Sequence, residues 1–366
     1  MKRLIVFLIF AVFLSVNVRA ENTYEQQYDI SGAEEIYDIL PPSSEQIIEE
    51  LDLDISRADW VGSLTFENVF SQIFSFFKTG LKTPLMCTGG MLAVMLIIAA
   101  ANSFDGFKPF RDVSSYIFTL CGVSGVLFPM FSLINSCASA VKGISVLMDG
   151  FVPLYAGILT VGGRGATATG MSFLLLAAAG LVGSLSSFVI VPLMSCYLGV
   201  GVVGSVMPLG TTSRMGDGIK KAAIWLLSLI LTVFIGILSV QTCVNKATDN
   251  LGLKTVRFML GTFVPVAGGA LSESLGTLLG SMGLLKSSVG MFAVVAIAAT
   301  VLPLVIEMLI WRFMLFALDM IVEVLGIDMK KDVLYAADSV LAVLIGVLLF
   351  VAALFIISLG IIAGGS

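Results

Sequence analysis

Five acidic side chains interrupt apolar stretches of this chain: Asp149, Glu273, Glu307, Asp319 and Glu323. A charge at the centre of a bilayer costs at least about 2.5–3.5 kcal/mol, so an acid at that depth marks an ion or proton path, an interface or a helix end. Asp149 and Glu273 each lie near a Phe-Val-Pro triplet, Phe151-Val152-Pro153 and Phe263-Val264-Pro265. Proline removes a backbone donor and disfavours the helical state of the residue before it. Carbonyls freed in this way must be buried in protein or line a wet cavity. Phe151, Pro153, Phe263 and Pro265 are therefore candidates for a pore or cavity bordered by Asp149 and Glu273; the bland alternative is two kinked packing helices. Glu307 follows Pro303 by one turn, and Asp319 and Glu323 share a helix face, which makes these three the candidate buried charges. Arg312 is near enough in sequence to neutralise Glu307.

Most catalytic chemistry is excluded by composition. Gly122-Val123-Ser124-Gly125 matches the Gly-x-Ser-Gly pattern of intramembrane serine proteases, but that chemistry needs a histidine base and the chain has no histidine. The same absence excludes Cys-His dyads and HExxH zinc sites. Gly216-Asp217-Gly218 has no second aspartate motif to complete an aspartyl protease, and no GxxxxGK[ST] loop is present to hold ATP phosphates. Cys87, Cys121, Cys137, Cys196 and Cys243 lack CxxC spacing and read as small packing residues. The expectation is a protein with no catalytic residues, no metal and no cofactor.

The elements that must position the acids are set by the solvent they need. Hydrophobic residues make up 58% of the 366-residue chain and charged residues 12%, against about 25% charge in a soluble domain. So much apolar surface requires a bilayer, and the fold class is an all-α polytopic membrane bundle. The acidity is local. Residues 21–79 hold thirteen acids and two bases, a net of −11, whereas residues 80–366 are net +3. No basic surface argues for nucleic acid.

In chain order, residues 1–20 read as a signal peptide, with Lys2-Arg3, an apolar run from Leu4 to Leu14 and a small residue, Ala20, at the end. Residues 21–80 form an acidic extracytoplasmic segment, including a helix expected from Ser44 to about Leu53. Phe66, Val69, Phe70, Ile73, Phe74 and Phe77 then recur at helical spacing, which predicts an amphipathic helix on the membrane, on a partner or on the chain's own helices. Residues 81–135 are expected to hold two transmembrane helices, Pro84–Ala101 and Val113–Ile134. Residues 136–245 and 246–366 read as two repeat units. Pro153 and Pro265 are 112 residues apart, Pro192 and Pro303 are 111 apart, and Lys220 and Lys330 are 110 apart. Two packed copies of one helical unit are common among transporters. The apolar stretches of the first unit are Ile144–Gly163, Met171–Val191, Pro192–Leu209 and Ala222–Val244, and those of the second are Phe258–Leu285, Val289–Ile310, Trp311–Gly326 and Ser339–Ile362. About eight to ten spans follow if each apolar stretch crosses separately. With residue 21 outside, full crossing by both Phe-Val-Pro segments puts Lys220-Lys221 and Lys330-Lys331 together on the cytoplasmic side. Re-entrant segments would instead invert one unit.

A signal peptide, a short acidic segment and a glycine-rich polytopic domain with Asp149-Gly150-Phe151-Val152-Pro153-Leu154 and Gly261-Thr262-Phe263-Val264-Pro265 resemble the stage III sporulation protein AE family of endospore-forming bacteria. The resemblance implies a non-enzymatic membrane component of the channel-like or export complex linking mother cell and forespore. It implies as partners the other stage III sporulation operon proteins, including an ATPase and ring-forming components, and a forespore-side partner. Its place would be the mother-cell membrane surrounding the forespore. The family supplies no catalytic or ligand residues to carry over. The alternative, read from the repeat alone, is a stand-alone secondary transporter with its site at the repeat interface.

Removal of the signal after Ala20 is testable by intact mass or N-terminal sequencing of protein purified from membranes. The expected N-terminus is Glu21; protein that still begins at Met1 would show an uncleaved anchor instead.

Overall fold

The computed structural model of the protein describes residue 28 and residues 33–57, 60–102, 108–161, 165–206, 218–226, 228–230, 232–241, 243–244, 268–325 and 332–363. Among these residues there are helices and no strand. A backbone without water must satisfy its own hydrogen bonds, and the helix does so locally. The helices are α1 (Pro42–Glu50), α2 (Phe66–Asn102), α3 (Lys108–Val161), α4 (Gly165–Leu185), α5 (Val191–Val206), α6 (Gly268–Val324) and α7 (Asp332–Ala363). A further apolar helix, the Gly218–Gln241 span, lies between α5 and α6. The signal residues, Phe263, Pro265 and the Lys330-Lys331 pair lie outside the described residues.

Six helices are long and apolar enough to cross a membrane, among the described residues. Several of the stretches expected to cross separately run together where the residues are described. The expected spans Val113–Ile134 and Ile144–Gly163 merge into α3, a single helix of 54 residues that also runs through residue 136. The expected break at Pro153 is absent, since Pro129 and Pro153 both lie inside this helix. Likewise Val289–Ile310 and Trp311–Gly326 merge into α6, of 57 residues, with Pro303 inside. The amphipathic stripe and the first expected span merge into α2 across Pro84. At 1.5 Å per residue, α3 and α6 are each about 80–86 Å long, more than twice the ~30 Å hydrocarbon layer.

At Pro192 the backbone itself changes to take the ring. Before Pro192 the backbone widens into a π-helical turn, Ser186–Ile190, which joins α4 to α5 without a break. A proline ring clashes with the carbonyl four residues back, and the wider turn makes room for it.

α3, α6 and α7 form the centre. In their most apolar windows α6 and α7 are each 61% buried, against 12% for the Gly218–Gln241 span, which marks that span as peripheral. Contacts fix the directions. Tyr155 of α3 packs against Gly290 of α6, and Cys137 of α3 lies against Leu344 of α7. α7 returns beside α6, so α3 runs antiparallel to α6. Gly80 of α2 packs on Glu307 and Ile310, while Met91 meets Gly125 of α3. In lipid there is little hydrophobic force between helices, so close approach at small residues carries much of this packing.

The acidic segment is a cap with a buried apolar face. Ala33, Ile36, Leu40, Ile48, Leu53, Ile55 and Trp60 all join the core. Trp60 donates from its indole nitrogen to the Ser288 hydroxyl at 2.6 Å, and its ring meets Phe292 edge-on. Tyr37 meets the same phenylalanine at 5.3 Å between ring centres. Ile39 sits against Gly150 of α3, with its Cγ2 2.8 Å from where a Cβ would stand, so a larger residue there would displace the cap. Helix α1 starts at Pro42, two residues earlier than expected, because proline suits the first helical position. It ends at Glu50 through a left-handed Asp52, φ 50°. There the Asp52 amide donates to Glu49 and the Leu53 amide to Ile48, a Schellman closure with aspartate where glycine is usual. Among the described residues the Phe66–Phe77 stripe is left uncovered: Phe66 (73% exposed), Phe70 (59%) and Phe74 (63%) turn outward.

Candidate functional site

The sequence-derived candidates separate in space. Phe151 is fully buried and stacks on Tyr155 at 5.2 Å, whereas Asp149 and Pro153 are exposed on the opposite side of α3. Glu273 lies in the first turns of α6, and its side chain is outside the described residues. Glu307 is half-buried where α2 crosses α6 at Gly80. Glu323 is exposed near the end of α6. Asp319 is half-buried and belongs to a different surface, a cleft between α6 and α7.

That cleft gathers charged and aromatic side chains from both helices. Its volume is about 550 Å³, and Arg312, Asp319, Tyr335 and Asp338 line it together with Phe313, Leu315, Phe316 and Leu334. Arg312 and Asp319 are seven residues apart and so share one face of α6. Tyr335 and Asp338, three apart, face them from the second turn of α7. The Arg312 guanidinium holds Asp338 through two bonds, Nε to Oδ1 at 2.6 Å and Nη2 to Oδ2 at 3.2 Å. This corrects the expected pairing of Arg312 with Glu307. Residues five apart on a helix point about 140° from each other, so Arg312 cannot face both Glu307 and α7.

A third element reaches the same place. Lys220 donates from Nζ to the Ser339 hydroxyl at 3.3 Å, and Ser339 is fully buried. The Gly218–Gln241 span and α7 therefore begin side by side, one of them at Lys220 and the other just after Lys331. The arrangement joins three helices at one level through fixed charges. Two-pronged arginine–carboxylate contact sets direction as well as distance, so it locks the register of the α6–α7 hairpin. The sequence conceals Asp338 because hydropathy starts the last span at Ser339, which leaves the aspartate in a loop. The available signal was an acid and a base near the facing ends of two consecutive apolar stretches.

Breaking the pair leaves the other charge without its partner, at a place where each side chain is 39% exposed. Arg312→Ala or Asp338→Ala is expected to destabilise the purified protein by about 1–3 kcal/mol, between the exposed and buried limits for ion pairs. The charge-swapped double variant, Arg312→Asp with Asp338→Arg, is expected to recover at least half of the loss in thermal unfolding in detergent. A double variant no more stable than either single swap would remove the lock.

Similarity to known proteins covers the apolar helices. Residues 54–366 match the family described as stage III sporulation protein AE, a range that contains all six apolar helices. The chain is similar to stage III sporulation protein AE of Bacillus subtilis (strain 168), with 23% identity over 262 residues. That alignment covers 70% of this chain and 63% of the relative, so the chain spans less than two thirds of the relative's length. No solved structure matches. A helical membrane architecture and a family match over most of its length lead to one conclusion: the chain belongs to the stage III sporulation protein AE family.

Proposed function

We propose that this chain is a membrane-embedded, non-enzymatic component of a channel-like or export complex linking mother cell and forespore during endospore formation. The observation that carries the reading is the family match across residues 54–366, together with six apolar helices inside that range. The sequence holds no loop for ATP phosphates, so energy would come from another chain. The proposed partners are the other stage III sporulation operon proteins, among them an ATPase and ring-forming components, and a forespore-side partner. The proposed place is the mother-cell membrane surrounding the forespore. An internal duplication is part of the proposal. In each unit a long helix carrying an internal proline, Pro192 or Pro303, precedes a shorter span that begins near a lysine pair.

The test is purification of the tagged chain, after crosslinking, from sporulating and vegetative cells of an endospore former that expresses it. Recovery with the ATPase and ring-forming proteins, only from sporulating cells, and loss of spores on deletion are expected. Purification alone in both states, with ion-coupled uptake by the chain in liposomes, would move the assignment to a secondary transporter.

A further inference from the structure

A polar seam runs along one side of α3. Ser132, Asn135, Ser136, Ser139, Lys142 and Asp149 are all exposed, and between them only Val146 adds an exposed apolar side chain. Steps of three and four residues hold them on one face of the helix. The whole seam lies inside the apolar span Leu120–Thr160. Packing sets its edges. On one side Gly125 meets Met91 of α2, and Gly143 and Gly150 meet Pro41 and Ile39 of the cap. On the other side Ser145 meets Gly183 of α4. The strip between these edges stays open. Asn135, Lys142 and Asp149 make no hydrogen bond or ion pair with another side chain among the described residues.

The neighbouring helix shows the opposite chemistry at the same height. α4 returns beside α3, and the contact of Ser145 with Gly183 levels the two. Lys142 and Asp149 lie three and four residues from Ser145, and Leu181 and Phe188 lie two and five from Gly183. At 1.5 Å per residue all four stand within about 8 Å of that contact along the helix axes. Leu181 is 49% exposed and Phe188 81%, so this side of the protein offers lipid an apolar surface. α6 does the same with Leu302, Leu309, Phe313 and Phe316. A lysine and an aspartate turned to lipid at that depth would be costly, and charged groups there normally face a bundle interior or a water-filled cavity. Direct packing of two seams does not remove the cost. A two-fold contact between copies inserted the same way round sets each residue near its twin, which brings Lys142 to Lys142 and Asp149 to Asp149. Water satisfies all of these groups at once.

We propose that the α3 seam lines a water-filled path through the membrane, with Asn135, Lys142 and Asp149 hydrated while Leu181 and Phe188 face lipid at the same level. This rests on the channel-like reading above and names one wall of the path. One helix face cannot enclose water, so neighbouring chains in the complex supply the other walls. The two readings fail separately. Recovery of the partners with a dry seam would keep the complex and remove only this wall.

The test uses the full chain in membranes of an endospore former that expresses it, broken open so that reagent reaches both faces. Cys87, Cys121, Cys137, Cys196 and Cys243 are first replaced by alanine. Single cysteines are then placed in the seam, as Ser132→Cys, Asn135→Cys and Ser139→Cys, and on α4 and the turn after it, as Leu181→Cys and Phe188→Cys. All five positions are exposed, so none of these changes disturbs the core. The probe is a membrane-impermeant methanethiosulfonate carrying a quaternary ammonium. It reacts with the thiolate, which forms in water and is suppressed in apolar surroundings. The seam cysteines are expected to react about a hundredfold faster than those at 181 and 188, the effect of a two-unit rise in thiol pKa. Rates within about threefold of each other would overturn the proposal in either direction. If all were slow, lipid or protein would cover the seam; if all were fast, the whole level would stand outside the bilayer. Oxidation of Ser139→Cys to a disulfide-linked dimer in high yield would mean seam-to-seam packing, and would overturn it as well.

Discussion

Backbone hydrogen bonding without water governs this fold. In hydrocarbon an amide or carbonyl left unpaired costs several kcal/mol, so a chain that is 58% hydrophobic favours helix wherever helix can be sustained. Proline opposes this by removing one donor and crowding one carbonyl. At Pro192 the chain absorbs that cost locally, with a widened turn before the ring. The result is few, very long helices. α3 and α6 run through three prolines between them, and α1, α2, α4, α5 and α7 each pack on one or both of them.

Polar groups are then placed where they fix relations among these helices. Arg312 and Asp338 join α6 to α7, and Lys220 on Ser339 brings in the Gly218–Gln241 span beside them. At the other end of the packed region, Trp60 on Ser288 and the edge-on contacts of Trp60 and Tyr37 with Phe292 seat the cap. The cap thus buries its isoleucines and leucines against α3 and α6 while its carboxylates stay outside. Its outward charge is compatible with a water-filled compartment, and its inward face ties that compartment's surface to the central helices.

Membrane class, helical content and family were legible in the sequence because they depend on composition and on the order of landmarks. Helix ends were not. A proline inside an apolar run looks the same whether the helix breaks, kinks or, as before Pro192, widens into a π turn. The partner of Arg312 was hidden for a related reason. Glu307 is nearer in sequence, but it faces α2, and only the return of α7 brings Asp338 within 2.6 Å. The Phe66–Phe77 periodicity identified a helix face correctly as apolar, yet periodicity does not say what covers a face, and this one is turned away from the rest of the chain. Phe151 shows the converse. It was singled out beside Pro153, but residues two apart on a helix diverge, so one is in the core and the other is exposed.

The uninterrupted course of α3 is the claim on which the span count and the packing directions both rest, and a distance measures it directly. Spin labels at Phe128 and Thr160, both exposed, are 32 residues apart on that helix. Double electron–electron resonance on the protein in lipid is expected to give about 48 Å, the length of a continuous helix between them. A distance of about 20 Å, as two antiparallel spans joined near residue 139 would give, would contradict the account.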